Sequence, residues 1–183
     1  TAVMEGSIIS KQRTAASAAL ASRVLAPSEP DAIGFVGCGP INAAIAQFLT
    51  VTWPNVRRFI GFDLSTERAN AFGEALLARR PEANFTVAKN IEALLSECPM
   101  VAFATTAIEP YVDSLDACQA GATLLHVSLR DLSADAILSS HNIVDDLDHV
   151  NRAATSIQLA SARTGNTDFV HCTLGDILLG HAH

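Results

Sequence analysis

Between Ile33 and Asp63 a buried-looking strand, a glycine turn, a helix and a second strand ending in a carboxylate follow one another without interruption. The run Ile33-Gly34-Phe35-Val36-Gly37-Cys38-Gly39-Pro40-Ile41-Asn42 leads into an apolar helical stretch, and Arg58-Phe59-Ile60-Gly61-Phe62-Asp63 closes the unit. That order is the one a dinucleotide site needs. Gly37 permits a tight turn, and Gly39 has no Cβ to keep a pyrophosphate from the backbone. Pro40 suits the first helical turn, where its missing N–H is expendable, and with Ile41 it opens a helix whose free N–H groups face an anion. Asp63 is placed to accept hydrogen bonds from the adenosine ribose. Its charge favours NAD over NADP, because a 2′-phosphate would meet a carboxylate, although Arg68 one turn later can offset that repulsion.

Asn42 departs from the fingerprint, standing where glycine or alanine usually lets helix and strand pack closely. Its amide either bonds the neighbouring loop or touches the ligand directly. Cys38, between the glycines, reads as a small apolar filler rather than an activated thiol.

A chain of 183 residues fits a single sizeable core, and 49% hydrophobic residues with only 5% aromatic ones imply an interior of alanine and aliphatic side chains. The net charge of −7 argues against general nucleic-acid binding. No apolar run is long enough to cross a bilayer, and the N-terminus shows no secretory pattern. Cys38, Cys98, Cys118 and Cys172 are scattered, as expected of reduced thiols in a cytoplasmic protein.

Alternating patterns predict an α/β doubly wound parallel sheet of Rossmann type, preceded by a linking strand–helix segment. Residues 2–9 read as extended. Ser10 caps a helix over 11–26, with Ala16, Leu20 and Val24 on its apolar face, and Pro27-Ser28-Glu29-Pro30-Asp31 forms a linker. Strands follow at 32–37, 58–63, 85–88, 100–105, 122–128 and 142–146. Helices are expected at 40–51, 65–79, 90–97 with Asn90 as cap, and 148–163, the last stopping at Gly165-Asn166. Gly37, Asp63, Thr105, Thr106, Ser128 and Asp146 would then gather near the carboxyl edge of the sheet.

With these residues placed, the chain resembles the ornithine cyclodeaminase/mu-crystallin family. Ser10-Lys11-Gln12-Arg13-Thr14-Ala15-Ala16, the alanine-rich helix and the glycine turn carry the resemblance over the whole chain. Met4-Glu5-Gly6-Ser7-Ile8-Ile9-Ser10, Gly37-Cys38-Gly39-Pro40-Ile41-Asn42 and Gly165-Asn166-Thr167-Asp168-Phe169 point to the branch of dehydrogenases in 2,3-diaminopropionate biosynthesis, found in siderophore and peptide-antibiotic pathways. The resemblance implies NAD as cofactor and a small amino-acid conjugate, N-(2-amino-2-carboxyethyl)-L-glutamate, as substrate. Oxidation at the glutamate α-carbon would give an imine that hydrolyses to 2-oxoglutarate and 2,3-diaminopropionate. Ornithine cyclodeaminase, ketimine reductase and alanine dehydrogenase activities are the enzymatic alternatives. A dinucleotide-responsive binder without turnover, on the pattern of mu-crystallin, is the alternative of another class.

Carried over residue by residue, the resemblance makes Arg13 a grip on a substrate carboxylate and Thr14 a neighbour of the cofactor phosphates. A solvated arginine on an amphipathic helix is the plain alternative for Arg13. Thr105 and Thr106 match a threonine-rich turn beside the cofactor, although β-propensity at a strand end also explains them. Ser128 lies on the same edge. Many relatives have a longer segment after strand 5, whereas this chain runs directly Val127-Ser128-Leu129-Arg130-Asp131-Leu132. Asp131 is therefore the acid/base candidate by proximity alone and Arg130 a second clamp, with a surface ion pair as the alternative. Asp145, Asp146, Asp148 and His149 suit helix capping better than a metal. On this reading residues 1–26 connect to a substrate domain outside the chain, 27–165 bind the dinucleotide and 166–183 return toward that domain. The chain is then the cofactor-binding half of a longer, homodimeric enzyme.

Overall fold

In the computed structural model, which describes residues 6–182, the chain forms two compact units. The first comprises residues up to Thr105 together with Ala117–Val127, and the second Thr106–Asp116 with the residues from Ser128 onward.

The first unit is the expected α/β layer structure. Helix α1 (Gly6–Leu25) precedes β1 (Ala32–Val36), α2 (Pro40–Thr52), β2 (Arg58–Phe62), α3 (Thr66–Leu77), β3 (Asn84–Val87), α4 (Ile91–Glu97), β4 (Met100–Phe103) and β5 (Thr123–His126). All pairings in its five-stranded sheet are parallel, in the order β3-β2-β1-β4-β5. The order reverses after β3, so the β1 and β4 carboxyl ends flank a switch point, where open α/β sheets bind ligands. β1 and β4 are buried throughout, which is why both read as unbroken apolar runs rather than alternating ones. One face of the sheet sends Ile33, Phe35, Phe59 and Met100 into a core shared with α1, α2 and α3. The Phe35 ring lies 6.4 Å from Phe59 and 5.1 Å from Phe72, so three of the chain's few aromatic side chains meet at its centre.

Helix starts follow their caps. Ser65 Oγ accepts the Arg68 N–H at 3.2 Å, and Asn90 Oδ1 accepts the Ala93 N–H at 2.9 Å.

Helix α1 corrects two expectations. Residues 6–9, expected as extended chain, are helical, and Ser10 lies inside the helix rather than at its cap; residues 2–5 fall outside the described region. Extending an existing helix fixes one residue per added hydrogen bond, so local strand preference at Ile8 and Ile9 is easily overridden. The buried face is Ala15, Ala18, Ala19 and Ser22, not Ala16, Leu20 and Val24; Ala16 and Leu20 are exposed. α1 packs on α2, and small side chains let the two backbones approach where leucine would hold them apart. Trp53, at the end of α2, donates from Nε1 to Ser22 Oγ at 3.1 Å, and Ser22 donates in turn to the Ala19 carbonyl at 2.7 Å.

The second unit contains α5 (Ala134–Leu138), β6 (Asn142–Val144), α6 (Leu147–Val150), α7 (Ser156–Thr164), β7 (Val170–Thr173) and α8 (Leu174–Leu178). The expected sixth strand does not extend the large sheet. It pairs in parallel with β7 in a two-stranded sheet of its own. β7, α5 and α8 escape sequence reading because four- and five-residue elements carry too little periodicity. The expected helix over 148–163 is broken in two. Ala153 and Ala154 have φ of 57° and 52°, a left-handed conformation that no helix continues through, and Thr155 caps α7 afresh. Gly165, with φ 76°, ends α7 as expected.

Candidate functional site

The glycine turn is built where β1 meets α2. The Gly37 N–H donates to the Phe62 carbonyl at 2.8 Å, which fastens the end of β1 to the end of β2. Gly37 has φ +84°, and a Cβ there would stand 2.6 Å from the Ala104 carbonyl oxygen and 3.0 Å from Thr105 Cγ2. Glycine at 37 is thus demanded by the protein itself.

Gly39 is different. Its backbone is extended (φ −90°, ψ −176°), open to any residue, and a Cβ there would meet nothing within 4 Å. Packing among the described residues gives no reason for glycine at 39. Pro40 stands at the start of α2, whose first turn holds no acidic residue and whose N-cap provides no side-chain hydrogen bond. Ile41, in the same turn, is 39% exposed. Open space above an uncapped N-terminus of a thirteen-residue helix suits an anion with several oxygens.

Asp63 follows β2 with its side chain only 7% exposed. Oδ2 accepts the Cys38 N–H at 2.8 Å, and Oδ1 accepts the Ser65 N–H at 2.9 Å. Arg68 Nε lies 3.7 Å from Oδ1, with the Arg68 side chain 62% exposed. Each carboxylate oxygen has a second lone-pair direction, so both retain acceptor capacity. Burial, followed by the nearby Asp63 charge and opposed by Arg68, pushes the Cys38 thiol up to about 12. Cys38 is thus a protonated filler, as its sequence context suggests.

Asn42 is fully buried, and its Nδ2 faces the carbonyls of Gly37 (2.7 Å), Val36 (3.0 Å) and Ala102 (3.2 Å). Of the two roles open to it, this geometry supplies the bond to the neighbouring loop.

Thr105 lies half-buried after β4, against Gly37. Arg13 is exposed on α1 and Thr14 half-buried one residue later. The first unit therefore brings together Gly37, Asn42, Asp63, Arg68 and Thr105.

Thr106, Ser128, Arg130 and Asp131 belong to the second unit. Asp131 is wholly buried: Oδ1 accepts the Tyr111 hydroxyl at 2.7 Å, and Oδ2 accepts the Ser128 hydroxyl. Its backbone carbonyl also accepts the N–H groups of Tyr111 and Val112, each at 3.0 Å. Arg130 donates to the Ile108 carbonyl at 3.3 Å and the Ala153 carbonyl at 2.9 Å. Asp131 is buried and Arg130 half-buried, whereas the alternative reading expects an exposed pair. Both tie loops together, and Tyr111, twenty positions away, has no local signal that would have named it. Asp146 caps α6 by accepting the His149 N–H at 2.7 Å, in line with the capping reading. No group of three or more metal-ligating side chains occurs among the described residues. Nor, among them, is any helix long and apolar enough to cross a membrane.

The profile of the ornithine cyclodeaminase/mu-crystallin family matches residues 1–183. The chain belongs to this family. It is 29% identical over 181 residues to the N-((2S)-2-amino-2-carboxyethyl)-L-glutamate dehydrogenase of Staphylococcus aureus (strain NCTC 8325 / PS 47), covering 98% of this chain and 54% of that protein. The crystal structure of CmnK superposes with a TM-score of 0.86 at 28% identity, covering 97% of this chain and 53% of CmnK. The Δ1-pyrroline-2-carboxylate reductase of Thermococcus litoralis, solved with NADH and L-proline, shares the fold with a TM-score of 0.88 at 20% identity, over 100% of this chain and 57% of the reductase. The chain thus spans about half the length of the family members it matches.

Proposed function

We propose that this chain is the NAD-binding part of an oxidoreductase acting on the carbon–nitrogen bond of an amino-acid conjugate. The observation that carries the reading is Gly39: a glycine that packing among the described residues does not need, beneath open space at the N-terminus of α2. A diphosphate fills that requirement, because its oxygens must approach closer than any Cβ permits. The residues present fit a dinucleotide, with Asp63 at the ribose, Arg68 beside it and Thr105 flanking the turn. Thr14 and Thr106 are assigned to the same cofactor through the family resemblance, and Ser128 through its expected place at the carboxyl edge of the sheet.

The substrate we assign is N-(2-amino-2-carboxyethyl)-L-glutamate, in siderophore or peptide-antibiotic biosynthesis in the cytoplasm. This rests on the segments named above and on similarity to the staphylococcal dehydrogenase of that name over nearly the whole chain. NAD, when bound, supplies the hydride acceptor. The substrate loses hydride from the glutamate α-carbon and a proton from the bridging nitrogen, forming the imine. Water then cleaves it to 2-oxoglutarate and 2,3-diaminopropionate. Arg13 grips a substrate carboxylate, a task suited to its planar fork, within a homodimeric full-length protein. The burial of Asp131 favours a positioning role over proton transfer.

The test is to incubate the full-length protein with NAD and the conjugate while following NADH absorbance and 2-oxoglutarate. Appearance of both in equal amounts supports the assignment. Turnover with proline, alanine or ornithine instead would move the protein to another branch. Binding of NAD without turnover of any amino acid would favour a non-catalytic binder.

A further inference from the structure

The carbonyl of Gly37 and the N–H of Cys38 belong to one peptide group, and a different side chain holds each end of it. Asn42 Nδ2 donates to the Gly37 oxygen at 2.7 Å, and Asp63 Oδ2 accepts the Cys38 N–H at 2.8 Å. We infer that Asn42 is a positioning residue that, together with Asp63, clamps the Gly37–Cys38 peptide and so sets the turn on which a pyrophosphate rests. The inference deepens the dinucleotide reading above and rests on it.

A peptide plane gripped at both ends cannot rotate about its flanking bonds without losing two hydrogen bonds, one of them to a carboxylate. The bonds it would rotate about are ψ of Gly37 and φ of Cys38, and glycine is the residue with most freedom to rotate. The clamp removes that freedom where the next residues, Gly39 and Pro40, begin α2. The Asn42 orientation is fixed by chemistry, since the reversed amide would face its oxygen to three carbonyl oxygens. Its Oδ1 is buried without a hydrogen-bond partner among the described residues, so the side chain is placed for what it donates. Where other sequences use glycine or alanine for close packing, this chain uses a buried amide as a cross-link from α2 to the ends of β1 and β4.

Asn42 holds only the turn, whereas the ribose is assigned to Asp63, so loss of Asn42 should be felt through the pyrophosphate and not through the adenosine.

Two measurements on Asn42→Ala test this. In the ligand-free protein, hydrogen exchange at the Cys38 amide should accelerate about tenfold or more, while amides of β4 keep their rates. Affinity for NAD and ADP-ribose should fall about tenfold or more, and affinity for adenosine should stay within about twofold. Equal weakening of all three ligands, or an unchanged Cys38 exchange rate, overturns the inference. A double-mutant cycle with Asp63→Asn adds a second readout: non-additive losses in NAD affinity support the clamp, and strict additivity rejects it. Should Asn42→Ala not fold, Asn42→Ser, which keeps a shorter donor, is measured the same way. If the unaltered protein binds neither NAD nor ADP-ribose, the functional reading fails, and the Cys38 exchange rates alone decide the clamp.

Discussion

A side chain on Gly37 would collide with Ala104, whose carbonyl oxygen stands 2.6 Å from the position of its Cβ, whereas a Cβ on Gly39 would meet nothing within 4 Å among the described residues. The two glycines of the turn thus differ: the fold requires the first, and the reading proposed above assigns the second to a ligand.

That contrast gives the first prediction. Gly37→Ala combines a positive φ with a backbone collision and should destabilise the protein by about 1–3 kcal/mol. Gly39→Val should alter stability by no more than about 1 kcal/mol, the scale of an N-cap change, yet weaken NAD binding. Denaturant titration and NAD titration of both variants check this. A folded Gly39→Val protein with unaltered NAD affinity would remove the main support for the functional reading.

Cofactor choice turns on Asp63. Like charges a few ångströms apart repel by on the order of 1 kcal/mol even when well screened, so NADP should bind more weakly than NAD. Asp63→Asn removes the repulsion and leaves Arg68 nearby, so the preference should shrink or reverse. Calorimetric titration with both nucleotides reads the outcome. Equal affinities in the unaltered protein would show that Asp63 does not face the 2′ position.

In the second unit, Tyr111→Phe deletes the hydroxyl that donates to buried Asp131. Loss of this hydrogen bond to a buried carboxylate should cost about 1–3 kcal/mol. The midpoint of chemical unfolding measures it. Asp131→Asn tests the competing role: lost turnover at unchanged stability would make Asp131 the acid/base after all.

The buried thiols predict an alkaline limit. Burial raises Cys38 and Cys98 from the ordinary 9.0 to about 12 in the folded chain. Their contribution to stability is complete below pH 9 and is lost as pH climbs from about 9 toward 12, because the unfolded chain ionises first. Unfolding midpoints should fall across that window, and Cys38→Ala should flatten the fall. At neutral pH neither thiol should react with iodoacetamide until the protein unfolds.

A final prediction concerns the 183-residue chain on its own. It spans about half the length of the relatives it matches, and Arg13 lies exposed on α1. We expect it to bind NAD more weakly than a full-length relative and to show no turnover, because hydride transfer needs donor and acceptor held in a defined geometry. NADH production from the conjugate at the rate of a full-length relative would place the whole chemistry within these residues.

Much of the first unit was legible because its signals are local. Buried parallel strands read as apolar runs, Ser65 and Asn90 announce their helices, and the glycine turn with Asp63 marks the switch point. The sequence alone determined the alternating α/β order of the first unit, the family, and the glycine turn with Asn42 and Asp63 close by. Tertiary structure decided what periodicity does not encode. The face that α1 buries was chosen by how closely α2 can approach, which favours Ala15, Ala18 and Ala19 over Leu20. The pairing of β6 with β7 joins residues 28 or 29 positions apart, such as Asn142 with Val170, a choice made by long-range contacts. Whether Asn42 turns toward a ligand or toward three carbonyls depended on where the ends of β1 and β4 come to lie. Hydrogen bonds between residues distant in sequence form only after the chain has packed, and in this protein they assign Asn42, Asp63 and Asp131 their partners.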